Sequence, residues 1–196
     1  MAAEWLIKVN NRFHGALNFH RDAADLFWFL SLPGFAMLHE YQLAVEALCQ
    51  RKLKKFITEV TGMLVVDGLP IRAGMSEIVK GKIRTKIEPT FRWNMLKKSW
   101  EAYEEWERET LAEYEVIAKE LSNDGYLVEY SYILKIVNEV NEELNHLRGI
   151  LIEMSGMDWD ISTISDMQEA MQEKYEYKLR EMHKRHKKYH HFNSIE

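Results

Sequence analysis

Four long stretches of this sequence place apolar residues at three- and four-residue steps, and almost every helix breaker falls between the stretches rather than inside them. Only three prolines and nine glycines occur in 196 residues, so the apolar spacing is free to express itself as helix. Phe13, Leu17, His20, Ala24 and Phe27 predict a first helix over about Glu4 to Leu30. It stops at Ser31-Leu32-Pro33-Gly34, because proline disfavours helix in the residue before it. Leu38, Gln42, Val45, Cys49, Lys52 or Leu53, Phe56 and Val60 predict a second helix from Phe35 to Thr61, with Gly62 as a C-terminal stop. A third spans Phe91 to Leu121 on the stripe Leu96, Trp100, Tyr103, Glu107, Leu111, Tyr114, Ala118 and Leu121. Asn123-Asp124-Gly125 is a tight-turn signal. The fourth, Tyr126 to Met154, carries Ile133, Val137, Val140, Leu144, Leu147 and Leu151 and ends at Ser155-Gly156.

The stretch between Gly62 and Pro89 breaks the pattern with Gly68, Pro70, Gly74 and Gly81, leaving room for one short helix near Met75–Lys80. Such a connection is long for two antiparallel neighbours. It suits a bundle in which one crossover joins two parallel helices. The order is thus helix, short turn, helix, long crossover, helix, short turn, helix, which predicts an all-α four-helix bundle over residues 1–156. Residues 157–196 form a separate segment. Asp160-Ile161-Ser162-Thr163 is expected to open a fifth helix with a thin stripe of Ile164, Met167 or Gln168, Met171, Tyr175, Leu179 and Met182. That helix is expected to fray through Lys184–His191.

Composition narrows the function classes. Forty-six per cent hydrophobic residues supply a packed core, and a net charge of −5 argues against a wholly basic nucleic-acid platform. Cys49 is the single cysteine, so an internal disulfide is impossible and the residue is expected to be a small core side chain. The start, Met1 to Trp5, lacks the features of a secretion signal, and no window reaches the ~18 apolar residues of a membrane span. A cytoplasmic protein is expected, with no membrane contact. No serine or cysteine has a recognisable His and Asp partner motif, so hydrolase chemistry has no support. The basic patch of Lys80, Lys82, Arg84, Lys86 and Arg92 reads as a solvated loop.

The hairpin Phe27-Trp28-Phe29-Leu30-Ser31-Leu32-Pro33-Gly34-Phe35-Ala36-Met37-Leu38-His39-Glu40 resembles that of the Dps mini-ferritins. In that family a His-Trp pair ends the first helix, a Gly-Pro turn follows, and Phe-x-x-Leu-His-Glu opens the second. Trp28, Pro33, Phe35, Leu38, His39 and Glu40 keep that register. The resemblance implies a ferritin-like four-helix bundle with an extra C-terminal helix, assembled as a homo-oligomer. It does not carry over the family's iron site between two-fold-related subunits. Phe27, Leu43, Lys54 and Thr58 stand where ligands belong, and His39 alone is kept.

Ferritin-like proteins also hold metals within each bundle, where one helix of a pair gives a Glu and the other a Glu-x-x-His. The fourth helix contains Glu143-Leu144-Asn145-His146, the second Glu46-Ala47-Leu48-Cys49, and Glu107 and His20 interrupt otherwise apolar stripes. Carboxylates with imidazole suit iron or manganese. His20, Glu46, Glu107, Glu143 and His146 are therefore the candidate metal ligands. The bland alternative makes Glu107 and His20 paired polar core residues and Glu143 a solvated one.

Three functional expectations follow. The first is an oligomeric bundle acting through assembly or a protein partner, with metal chemistry reduced or lost. The second is an active iron-binding and iron-oxidising protein that uses the intra-bundle set. The third is a DNA-associated protein that grips phosphates weakly through the basic tail from His183 to His191.

Overall fold

The computed structural model describes residues 2–66, 89–160 and 162–192. They form five helices: α1 (Ala2–Phe29), α2 (Pro33–Thr61), α3 (Pro89–Asn123), α4 (Leu127–Gly156) and α5 (Ser165–Phe192). Local chemistry sets the ends. Pro33 sits in the first turn of α2, where its missing N–H costs nothing. Gly62 closes the same helix at φ 69°, a left-handed conformation that glycine adopts without a Cβ penalty, and its N–H bonds to the Thr58 carbonyl at 2.9 Å. The short helix expected near Met75–Lys80, and Lys80, Lys82, Arg84 and Lys86 of the basic patch, lie outside the described residues. Arg92 belongs to α3 and donates from Nη2 to the Ser31 carbonyl at 2.9 Å.

Two apolar clusters fix the helix directions. One gathers Leu6 and Val9 of α1, Leu53 and Ile57 of α2, Tyr114 and Leu121 of α3, and Ile133 and Val137 of α4. The other gathers Phe27 of α1, Phe35 and Leu38 of α2, Leu96 and Trp100 of α3, and Leu147 and Met154 of α4. The end of α2 thus shares a layer with the end of α3, so these helices run parallel, while α1–α2 and α3–α4 are antiparallel pairs. Residues 62–88 therefore connect opposite ends of the bundle, as a long crossover must.

The fifth helix starts later than the sequence suggests. Asp160 turns its carboxylate onto Ser162, accepting from the backbone N–H at 3.2 Å and from Oγ at 2.5 Å. Asp158 and Trp159 are left-handed at φ 51° and 59°. The helix begins at Ser165 once this turn is complete, and continues through the stretch expected to fray, ending at Phe192.

This helix packs on α2 and joins the main core, since Trp159, Ile164, Met171 and Tyr175 cluster with Leu30, Leu32 and Phe35. Leu32, at the start of α2, offers no side-chain cap. Gln168 Oε1 instead accepts the N–H groups of Gly34 and Phe35 at 2.9 and 3.3 Å, capping α2 from another helix. Gly34 is required by the same contact, because a Cβ there would lie 2.1 Å from the Gln168 carbonyl oxygen. No helix among the described residues is long and apolar enough to cross a membrane.

Candidate metal centre

Between the two apolar clusters, all four bundle helices turn polar side chains inward. α1 contributes His20, α2 His39, Gln42 and Glu46, α3 Tyr103 and Glu107, and α4 Glu143. His20, His39, Tyr103 and Glu107 are buried, whereas Gln42, Glu46 and Glu143 are half-buried. One ligand atom each from His20, Glu107 and Glu143 lies within 4.8 Å of the other two. Rings close the site: Phe19 stacks on Trp106 at 5.7 Å between centroids, and Phe27 stacks on His39 at 5.3 Å.

Hydrogen bonds set the polar geometry. His20 Nδ1 and His39 Nδ1 are 2.9 Å apart, so one ring donates and the other accepts. His20 Nε2 is buried and has no partner. Tyr103 donates its O–H to Glu143 Oε1 at 2.5 Å, and the Gln42 amide donates to the same oxygen. Arg12, also buried, lies beside the Glu107 turn of α3. Its Nε donates to Thr110 Oγ1 at 2.7 Å, its Nη2 to the Trp106 carbonyl at 3.0 Å, and its guanidinium sits 3.7 Å above the Trp106 ring.

Burial and crowding of like charge govern the ionisation. Burial pushes His20 down to about 3 and holds His39 well below the ordinary imidazole range, so both are neutral at pH 7. Burial first, then Glu143 and Glu139, raise Glu46 to about 8. Glu107 is raised well above the carboxylate range by burial, Glu143 and Glu46, against the opposing charge of Arg12. Burial also raises Glu143, opposed by its Tyr103 hydrogen bond. Burial and like-charge crowding of this kind favour the protonated form of a carboxyl, and a cation beside it favours the ionised form.

The structure brings together His20, Glu107 and Glu143 of the sequence-derived set. Glu46 stands close enough to both acids to raise their like-charge repulsion, outside the 4.8 Å cluster. His146 is exposed, and its pKa is lowered by burial and by Lys174 and Lys178 of α5, so it faces that helix rather than the cluster. Glu143 is half-buried and hydrogen-bonded rather than solvated. His39, Gln42 and Tyr103 enter the site without having been singled out for it. Gln42 and Tyr103 lay on predicted inner stripes, but no periodicity shows that both would meet one carboxylate oxygen. His39 is only 1% exposed and bonds within its own chain, so it points into the bundle instead of toward a neighbouring subunit.

The donor set suits a divalent transition-metal cation. An ion about 2.1 Å from each ligand spans ~4.2 Å between opposite ligands, so small side-chain rotations would close the cluster around it. The unpartnered His20 Nε2 is the group that such an ion would satisfy.

No family model matches the sequence, and no curated protein matches it. Solved structures do. A closed form of the Archaeoglobus fulgidus ferritin, made by site-directed mutagenesis, superposes with a TM-score of 0.70 at 15% identity, covering 87% of this chain and 94% of that one. The open-pore ferritin of the same hyperthermophilic archaeon gives 0.69 at 15% identity, covering 88% and 98%. The fold is ferritin-like. This ferritin-like bundle carries the fifth helix on α2 as part of its core, and its inward polar layer lies midway along the four long helices.

Proposed function

We propose that this ferritin-like bundle holds iron or manganese in its polar layer, with His20, Glu107 and Glu143 as ligands and Glu46 as a nearby carboxylate. The observation that carries the reading is His20 Nε2, a buried imidazole nitrogen without a partner in a cluster with two carboxyls. With its proton on Nδ1 and donated to His39, His20 keeps the Nε2 lone pair free, the usual arrangement for an imidazole ligand. Glu107 and Glu143 supply the negative charge. Tyr103 and Gln42 orient Glu143, and the Phe19, Phe27 and Trp106 rings exclude water. Bound iron would supply one-electron redox chemistry.

A homo-oligomer is part of this proposal. Leu127 and Val128, adjacent at the start of α4, are 67% and 63% exposed and would be covered in such an assembly. Light scattering tests it, and a monodisperse monomer at high concentration would overturn it. The DNA-binding expectation rests largely on side chains beyond Lys184, which lie outside the described residues.

Metal analysis of chelator-free protein, and of apoprotein reloaded with Fe(II) or Mn(II), tests the metal assignment. Wild type is expected to retain metal after desalting, and Glu107→Gln, isosteric but without the charge, is expected to lose it with an unchanged helical signal. Absence of metal after reloading, or full occupancy in the variant, would contradict the assignment.

A further inference from the structure

We infer that the centre holds a single divalent cation per chain rather than a carboxylate-bridged pair, because Glu143 has one oxygen already taken by Tyr103 and Gln42. This rests on the proposed metal reading. A carboxylate bridges two metals by giving one oxygen to each. Each carboxylate oxygen has two lone-pair sites, and both at Glu143 Oε1 are engaged by protein donors, the Tyr103 hydroxyl at 2.5 Å and the Gln42 amide. Oε2 alone is left. Glu143 therefore cannot give one oxygen to each of two metals.

Two further observations point the same way. A bridged pair needs more nitrogen and oxygen donors than the described cluster brings together. His20 is the one imidazole in that cluster, His39 is engaged with His20 Nδ1, and His146 faces α5. Cys49, where the second helix would carry its histidine, lies outside the cluster of His20, Glu107 and Glu143 ligand atoms.

Charge gives the same count. Glu46, Glu107 and Glu143 offer three negative charges when ionised, and buried Arg12 beside Glu107 returns one positive charge. Glu109 and Glu113 also approach Arg12, at 3.5 and 3.9 Å, but are 58% and 38% exposed, and Glu139 near Glu46 is exposed too, so all three are screened by water. The remaining two charges match one divalent cation. A second would leave a buried excess of positive charge.

Mn(II) titration of the full-length apoprotein, followed by electron paramagnetic resonance and by equilibrium dialysis, tests the count. One equivalent per chain is expected, with the spectrum of an isolated Mn(II) ion at saturation. Two tight equivalents, or a spin-coupled pair signal, would overturn the single-cation inference while leaving the metal reading intact. No tight binding would overturn both. Glu107→Ala and Glu107→Gln sharpen the test, since one shared ion is lost completely in both variants. Retention of half the wild-type manganese in a folded variant would mean a second ion, and would sink the inference.

Discussion

His20 and His39 join Nδ1 to Nδ1 at 2.9 Å in the middle of the bundle, each completely or almost completely removed from water. The pair links the first two helices and fixes which His20 nitrogen is left for a cation. Replacing His39 with Phe, which preserves the stacking on Phe27, removes the partner of His20 Nδ1. A cost of about 1–3 kcal/mol is expected for that unsatisfied group. Loss of the orienting partner should weaken Mn(II) binding by about 10- to 100-fold. His39→Gln keeps an acceptor and should restore part of the affinity. Urea unfolding with Mn(II) titration checks both effects, and wild-type affinity in His39→Phe would refute the orienting role.

The carboxyls of the polar layer make a pH signature. Glu46 is raised from 4.5 to about 8, so between these values the unfolded chain releases a proton that the folded chain keeps. Stability of cation-free protein therefore falls as pH rises through that window. His20 and His39 act oppositely, but only below about 6.5, since both are depressed from that value and neutral in either state above it. The clear window is pH 6.5 to 8, with an expected loss of about 1–2 kcal/mol. Mn(II) selects the ionised carboxyls, so its stabilisation should grow over the same interval. Urea midpoints in chelator and in Mn(II) measure this, and a flat or rising profile in chelator would contradict it.

The α2–α5 contact gives a test away from the metal. Gly34→Ala would drive a Cβ into the Gln168 carbonyl oxygen, 2.1 Å away, and neither backbone can yield without a helix shift. A destabilisation of about 1–3 kcal/mol is expected. Gln168→Leu removes the acceptor of the Gly34 and Phe35 N–H groups and should cost about 1 kcal/mol. Thermal unfolding distinguishes these from neutral surface changes. Unchanged stability in Gly34→Ala would mean that α5 does not sit on α2 at this spacing.

The four long helices were legible because Pro33, Gly62 and Asn123–Gly125 interrupt periodic apolar stripes at their ends. The late start of α5 was not, because Asp160 bonding to Ser162 mimics a helix cap while closing a turn. In the site, Glu107 and His20 stood out as polar residues on apolar stripes, and burial bears out their inward placement. His146 shares a three-residue spacing with Glu143, about 60° short of a full helical turn. That offset ordinarily leaves both residues on one face, but here the His146 side of α4 is turned toward Lys174 and Lys178 of α5. The His20–His39 pair was hidden because it joins residues of two helices whose relative rotation no single-helix period specifies.

Manganese anomalous scattering from crystals grown with Mn(II) tests the central claim most directly. The account predicts one strong peak per chain inside the bundle, within about 2.0–2.3 Å of His20 Nε2 and of carboxylate oxygens from Glu107 and Glu143. Density only at the exposed His146, or no peak among these three side chains at full Mn(II) saturation, would contradict it.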